Sequence, residues 1–288
     1  MLARRLHISR RGFALAATFF VGTLSLAIGA HAALNMRPLD VTRNAAKDAV
    51  KVDPGANALA SPQRLALVIG NGHYPDADAP LTQSINDARA LASALRERGY
   101  DVDMVEDARK EDIVRAIDRL KSKITRGSVV TLFFGGYAVQ SRRESYMLPV
   151  DAVIWRESDV RRDGVSIESV LDTMKEQGAR AELVVIDASR RNPYERRFRS
   201  YSHGLAPINA PANALVLSSN TPGKVADDID GTHSVLVGEL LKNVEAQGSA
   251  ESIFNKTSVA VSRASEGNQV PTVSSSLSED IQLGAAGS

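Results

Sequence analysis

The residue best placed to do chemistry in this chain is Ser189. It stands in Ala181-Glu-Leu-Val-Val-Ile-Asp-Ala-Ser-Arg-Arg-Asn-Pro193, directly after a short apolar run rich in β-branched residues. Such a run reads as a strand buried on both faces. In an open parallel sheet, ligands bind beyond the carboxyl ends of the strands, which is where this hydroxyl falls. A serine hydroxyl attacks only when a neighbouring base takes its proton, so the hydrolytic reading of Ser189 needs a partner. A second motif is Gly70-Asn71-Gly72 after an earlier apolar run, with Glu106 or Asp107 closing the next one, the outline of a dinucleotide-binding turn. Pro75 stands where the third glycine belongs, and the loop from Asn71 to Thr82 separates strand from helix. A phosphate therefore has no helix N-terminus to rest on.

The elements that must position Ser189 follow from periodicity. Arg64 to Gly70 and Val129 to Phe134 are buried-strand patterns, Tyr100 to Val105 alternates as a strand does, and Ala214 to Ser218 is a further strand. Helical stripes run from Ser84 to Arg98, closed by Gly99, and from Lys110 to Ile124. Others cover Ser166 to Gln177, Ser234 to Ala246 and Ser252 to Ala264, and Val270 to Ser274 is a last strand. Residues 138–164 read as irregular. Strands alternating with helices imply right-handed crossovers, hence an α/β three-layer αβα sandwich with a mostly parallel sheet of about six strands.

The chain of 288 residues contains no cysteine, which removes disulfides, thiolate metal sites and a cysteine nucleophile together. Its five histidines show no zinc-type spacing, and no cofactor or metal is called for. Arg4, Arg5, Arg10 and Arg11 precede an apolar run from Phe13 to Ile28, and Ala30-His31-Ala32 resembles a cleavage site. Residues 1–32 therefore read as an export signal of twin-arginine type, and the expected location is the bacterial periplasm. Uncleaved, the same segment would anchor the protein to the membrane, facing the periplasm. Residues 33–62 read as a linker, 63–284 as the domain and 285–288 as a tail. The formal net charge is +1, and loss of the signal, with four arginines and no acid, leaves −3. A mildly acidic mature chain argues against nucleic acid as a partner.

Six segments in register carry a resemblance. They are Leu65-Ala-Leu-Val-Ile-Gly-Asn71, Asn86-Asp87-Ala88, Met147-Leu-Pro-Val-Asp-Ala152, Asp187-Ala-Ser-Arg-Arg-Asn-Pro193, Gly204-Leu-Ala206 and Thr221-Pro-Gly-Lys-Val-Ala226. In order and spacing the chain resembles the caspase-like peptidases of clan CD, in particular bacterial metacaspase-type (peptidase C14, p20) domains. The resemblance implies cysteine-type endopeptidase activity, yet it departs from the family at both catalytic positions. Where the family has Tyr-Ser-Gly-His-Gly, this chain has Phe133-Phe134-Gly135-Gly136-Tyr137-Ala138, so Tyr137 replaces the general-base histidine. Ala138 replaces a glycine of the oxyanion hole, and Ser189 replaces the nucleophilic cysteine. A tyrosine hydroxyl, ordinarily with a pKa near 10, is a poor base at neutral pH. By analogy with serine proteases, loss of one member of a catalytic pair costs about six orders of magnitude in rate.

The resemblance also singles out Asp87 and Asp187 as acids of a pocket for a basic side chain. Their structural alternative is that Asp87 hydrogen-bonds near a helix start while Asp187 closes the loop after its strand. His73 and His203, in loops, are the candidate bases for a Ser189 hydrolase, and solvated histidines are the plainer reading. Arg190, Arg191, Arg196, Arg197 and Arg199 form a basic run that resembles a processing loop or pseudosubstrate, or binds an anionic partner; a solvated loop is the commoner origin of such runs. The expectation is an exported pseudopeptidase that binds a basic peptide segment or a protein partner; the alternative is an active hydrolase with Ser189 as nucleophile.

Overall fold

The computed structural model describes residues 62–75, 80–188, 194, 205, 207–208, 211–224, 231–246 and 248–284. The expectations placed on residues 1–61, on Ser189, on the run from Arg190 to Arg199, on His203 and on residues 285–288 lie outside the described residues. Among the described residues, no helix is long and apolar enough to cross a membrane.

The main sheet is built from β1 (Arg64–Gly70), β2 (Asp101–Glu106), β3 (Val129–Gly135), β7 (Ala181–Asp187), β8 (Ala214–Ser218) and β9 (Thr272–Ser275), in the order β2-β1-β3-β7-β8-β9. All neighbours pair in parallel except β9, which runs antiparallel to β8. Every residue of β3 and β7 is buried, as continuous apolar strands covered on both faces should be. The pleat divides their side chains between two cores. Ala66, Val68, Phe133, Leu183, Val185, Leu215 and Leu217 pack beneath α1 (Thr82–Glu97), α5 (Val235–Val244) and α6 (Ala250–Ala264). Leu65, Leu67, Ile69, Leu132, Val184 and Ile186 face the other way, toward α2 (Lys110–Lys123) and α4 (Ile167–Glu176). The α/β three-layer architecture with a six-stranded, mostly parallel sheet is thus present. Serine side chains start α4, α5 and α6: Ser166, Ser234 and Ser249 accept the N–H groups of Ser169, Val237 and Ser252. Each satisfies one of the donors a helix start leaves open.

Residues 138–164 are not irregular. They contain the strands β4 (Ala138–Ser141) and β5 (Glu144–Met147), which with β6 (Val165–Ser166) just beyond make a second, antiparallel sheet, and α3 (Glu157–Asp163). The hairpin turn is Arg142-Arg143, with Arg142 in the left-handed region at φ 59°. No Asn-Gly or Gly signal marks it, so the strands cannot be read from turn chemistry. Val160 is the only apolar residue in α3, whose start is instead organised by Asp159, which accepts the N–H groups of Trp155 and Arg156 at 3.1 Å.

One core group is out of character. Glu182 on β7 is 2% exposed, with Oε2 lacking a hydrogen-bond partner. Burial is the main reason its carboxyl is pushed from 4.5 up to about 8; Lys175 offsets a part and Asp172 adds to it. Between those two values the unfolded chain has lost this proton and the folded chain keeps it, so stability falls as pH rises. The slope reaches about 1.4 kcal/mol per pH unit. Glu182→Gln, which cannot ionise, is expected to match the parent protein in urea unfolding at pH 5 and to exceed it at pH 8. Parallel pH dependence of the two proteins would refute this.

Candidate functional site at the carboxyl edge of the sheet

The ends of β1, β3 and β7 lie in register, Gly70 beside Gly135 and Gly135 beside Asp187. The chain leaves β3 through Gly136, whose N–H donates to the Asp187 carbonyl at 3.3 Å. Helix α1 presses directly against this edge. A Cβ on Gly70 would sit 2.6 Å from the Ala88 Cβ and 2.7 Å from the Ser84 carbonyl, and one on Gly72 would sit 2.8 Å from the Leu81 carbonyl. Close packing therefore accounts for both glycines of the Gly70-Asn71-Gly72 motif. The backbone N–H groups of Gly72 and His73 are taken by Asp107 Oδ1 at 2.8 and 2.9 Å. A carboxylate of the chain occupies the position an incoming phosphate would need, and Glu106 is paired with Arg89. The nucleotide reading has no site here.

Asp107 also holds the His73 imidazole, with Oδ2 2.5 Å from Nδ1. Partial burial works against the charged carboxyl. The N–H groups of His73 and Gly72 and the imidazole outweigh it and hold Asp107 below the usual carboxylate range. Asp107 adopts a left-handed φ of 45° to reach these donors. The His73 ring is largely exposed, with Nδ1 committed to Asp107.

Tyr137 follows Gly136 and is packed by its surroundings. Its ring meets that of Tyr74 edge-on, centroids 4.9 Å apart at 67°. The Tyr137 N–H donates to the Tyr74 hydroxyl, which in turn donates to the Leu148 carbonyl, both at 3.0 Å. Burial drives the Tyr74 phenol well above its ordinary pKa, so it stays a donor. Asn71, fully buried, ties the same region together. Its amide donates to the Leu148 carbonyl at 3.1 Å and its oxygen accepts the Ala108 N–H at 2.8 Å. There is no room for a side chain at 136, where a Cβ would fall 2.6 Å from the Tyr74 hydroxyl.

The two acids singled out by sequence come together. Asp87 is fully buried and Asp187 nearly so. Burial, and secondarily the charge of Asp187, pushes the Asp87 carboxyl up to about 6. His233 Nδ1 lies 2.8 Å from Asp87 Oδ1, and the Ser234 N–H reaches both carboxylate oxygens at 3.2 and 3.3 Å. Asp87 does hydrogen-bond at a helix start, but the helix is α5 rather than its own α1. Sequence reasoning missed His233. The available signal was Ser234 as the cap of an apolar helix, which puts His233 just outside that helix; nothing local names a partner 146 residues away. Among the described residues there is no group of three or more His, Asp or Glu side chains able to hold a metal ion.

A family model described as the caspase domain matches residues 63–282. The human protein named mucosa-associated lymphoid tissue lymphoma translocation protein 1 is 26% identical over 136 residues, which is 46% of this chain and 16% of that protein. Its homolog from the mouse, Mus musculus, gives the same values. The chain thus covers 16% of the length of the curated relatives it matches.

The tyrosine network makes a prediction about stability. Tyr74→Phe leaves the Tyr137 N–H short of a partner in a partly buried place and the Leu148 carbonyl with Asn71 as its remaining side-chain donor. Unfolding in denaturant should show a loss of about 1–3 kcal/mol. A change under about 0.5 kcal/mol, the usual limit for inert surface positions, would mean the network holds nothing.

Proposed function

The chain belongs to the caspase-domain family of peptidases, and we propose that within it this protein is a pseudopeptidase, a binding module on a peptidase scaffold. The observation that carries the proposal is the composition: the chain has no cysteine, so the thiolate of a cysteine peptidase has no source. Tyr137 at the end of β3 supports it, because its backbone and ring are engaged with Tyr74 in the region where a base would have to move freely.

The ligand proposed is a basic peptide segment, free or within a protein partner. Supporting it is the electrostatics of the edge: two buried carboxylates near enough that the charge of Asp187 raises Asp87. A guanidinium or ammonium group between them would relieve that repulsion and form charge-assisted hydrogen bonds. We place the protein outside the cytoplasm, in the bacterial periplasm, on the strength of the arginines and apolar run in residues 1–32. A reporter fused after residue 32 should be exported, and retention in the cytoplasm would remove that part of the proposal.

Two measurements test the function. The mature chain should release no fluorophore from peptides with Arg or Lys before the scissile bond. Turnover abolished by Ser189→Ala would overturn the pseudopeptidase reading and establish a serine hydrolase. Neutralising both acids, Asp87→Asn with Asp187→Asn, should weaken binding of an arginine-containing peptide by about tenfold or more, the worth of one hydrogen bond to a charged group. Unchanged affinity would leave the acidic site without a role in recognition.

A further inference from the structure

Four consecutive residues, Gly231 to Ser234, lie against the first turns of α1, and α1 binds them in sequence. Gln83 Nε2 donates to the Gly231 carbonyl at 3.1 Å, Asn86 Nδ2 donates to the Thr232 carbonyl at 3.2 Å, and Asp87 takes the His233 ring and the Ser234 N–H. The burial of the two partners in the last contact is unequal. The Asp87 side chain is 0% exposed while the His233 side chain is 31% exposed. An imidazole that reaches solvent thus meets a carboxylate that does not.

We propose that His233 is a built-in occupant of the acidic site, holding Asp87 through the contact that the cationic group of an arginine or lysine side chain would make, so that a basic segment binds only by displacing it. The inference rests on the reading of Asp87 and Asp187 as a basic-side-chain site, and it supplies that site's regulation.

The imidazole contact is separable from the fold. Helix α5 is started by Ser234, whose hydroxyl accepts the Val237 N–H at 3.1 Å, and Asp87 still receives the Ser234 N–H when the ring is gone. The backbone of the segment remains held by Gln83 and Asn86. What the ring alone supplies is a donor to Asp87. A guanidinium or ammonium group supplies donors and a full positive charge to the same oxygen. A second polar group on the same helix is unmet: Ser84, one turn before Asp87. Its hydroxyl is buried without a partner, and its Cβ is 3.4 Å from where a Cβ would stand on Gly135, the strand neighbour of Asp187.

A ligand that must displace an internal group binds with an affinity reduced by the fraction of molecules in the vacated state. The test is fluorescence anisotropy with a labelled acetyl-Ala-Ala-Arg-amide probe against the full chain. His233→Ala should bind the probe at least about fivefold more tightly than the parent, and adding Asp87→Asn to it should remove the gain. Equal or weaker binding by His233→Ala, with binding still lost on neutralising both acids, overturns the occupant and leaves the acidic site standing. Binding indifferent to the acids overturns the site and the occupant together. A second measurement uses the unmodified protein: the side-chain nitrogen resonances of His233 should lose the signature of a carboxylate-bonded Nδ1 when the probe saturates. Their persistence at saturation overturns the proposal even if His233→Ala fails to fold.

Discussion

The approach of α1 to the end of β1 sets the geometry of everything at this edge. Because Gly70 has no side chain, the helix lies where a Cβ would strike Ala88 and the Ser84 carbonyl. That proximity carries Ser84 and Asp87 over the ends of β3 and β7, and it presents Gln83, Asn86 and Asp87 to the segment before α5. A methyl group at position 70 would push the helix outward, and each of those contacts would lengthen with it. Protein interiors are packed too densely to absorb such a shift locally. The glycine that resembles a phosphate-binding signal is thus a spacing element between helix and sheet.

The same edge shows how similar partners leave two carboxylates shifted in opposite directions. Asp107 and Asp87 each accept backbone N–H groups and each face a histidine Nδ1. Asp107 is about one-third exposed, and its donors prevail over the cost of burial, holding it charged. Asp87 is sealed from water and has Asp187 for a neighbour, so burial prevails and the carboxyl rises. Solvent access and one like charge decide the difference. Asp107 is thereby a satisfied structural anion that closes the loop after β1. Asp87 is an anion short of compensation, and such a group favours an added cation.

Most of the architecture could be read from the chain because its signals are local. The apolar runs at Leu65–Ile69, Val129–Phe134 and Leu183–Ile186 are strands buried on both sides, and α1, α2 and α4 to α6 follow stripes of helical period. The second sheet was illegible for physical reasons. Its strands are two to four residues long, its turn is Arg142-Arg143, and α3 starts at a buried aspartate with no apolar stripe. At the site, the resemblance pointed to Asp87 and Asp187, which burial and proximity bring together, but His233 lay beyond local reading. Its partner is chosen by two helices meeting at the sheet edge, a tertiary fact that no spacing rule encodes. His73, flagged as a possible base, has its Nδ1 bound to Asp107, one of the two acids that close the second strand in the Gly70-Asn71-Gly72 motif.

Position 137 is fixed by packing of a different kind from that of the main sheet. Most of the buried apolar side chains of this fold belong to two cores on the faces of the main sheet. Tyr137 lies against the third cluster, around Tyr74, Tyr146, Leu148 and Ile154. There its N–H is bonded to a hydroxyl that also supports Leu148. Replacing the phenol by an imidazole would put a base in the loop but would withdraw an aromatic edge-to-face contact, worth about 0.5–1.5 kcal/mol. What remains adjustable at the edge is charge, held in Asp87, Asp187 and the histidine that shields one of them.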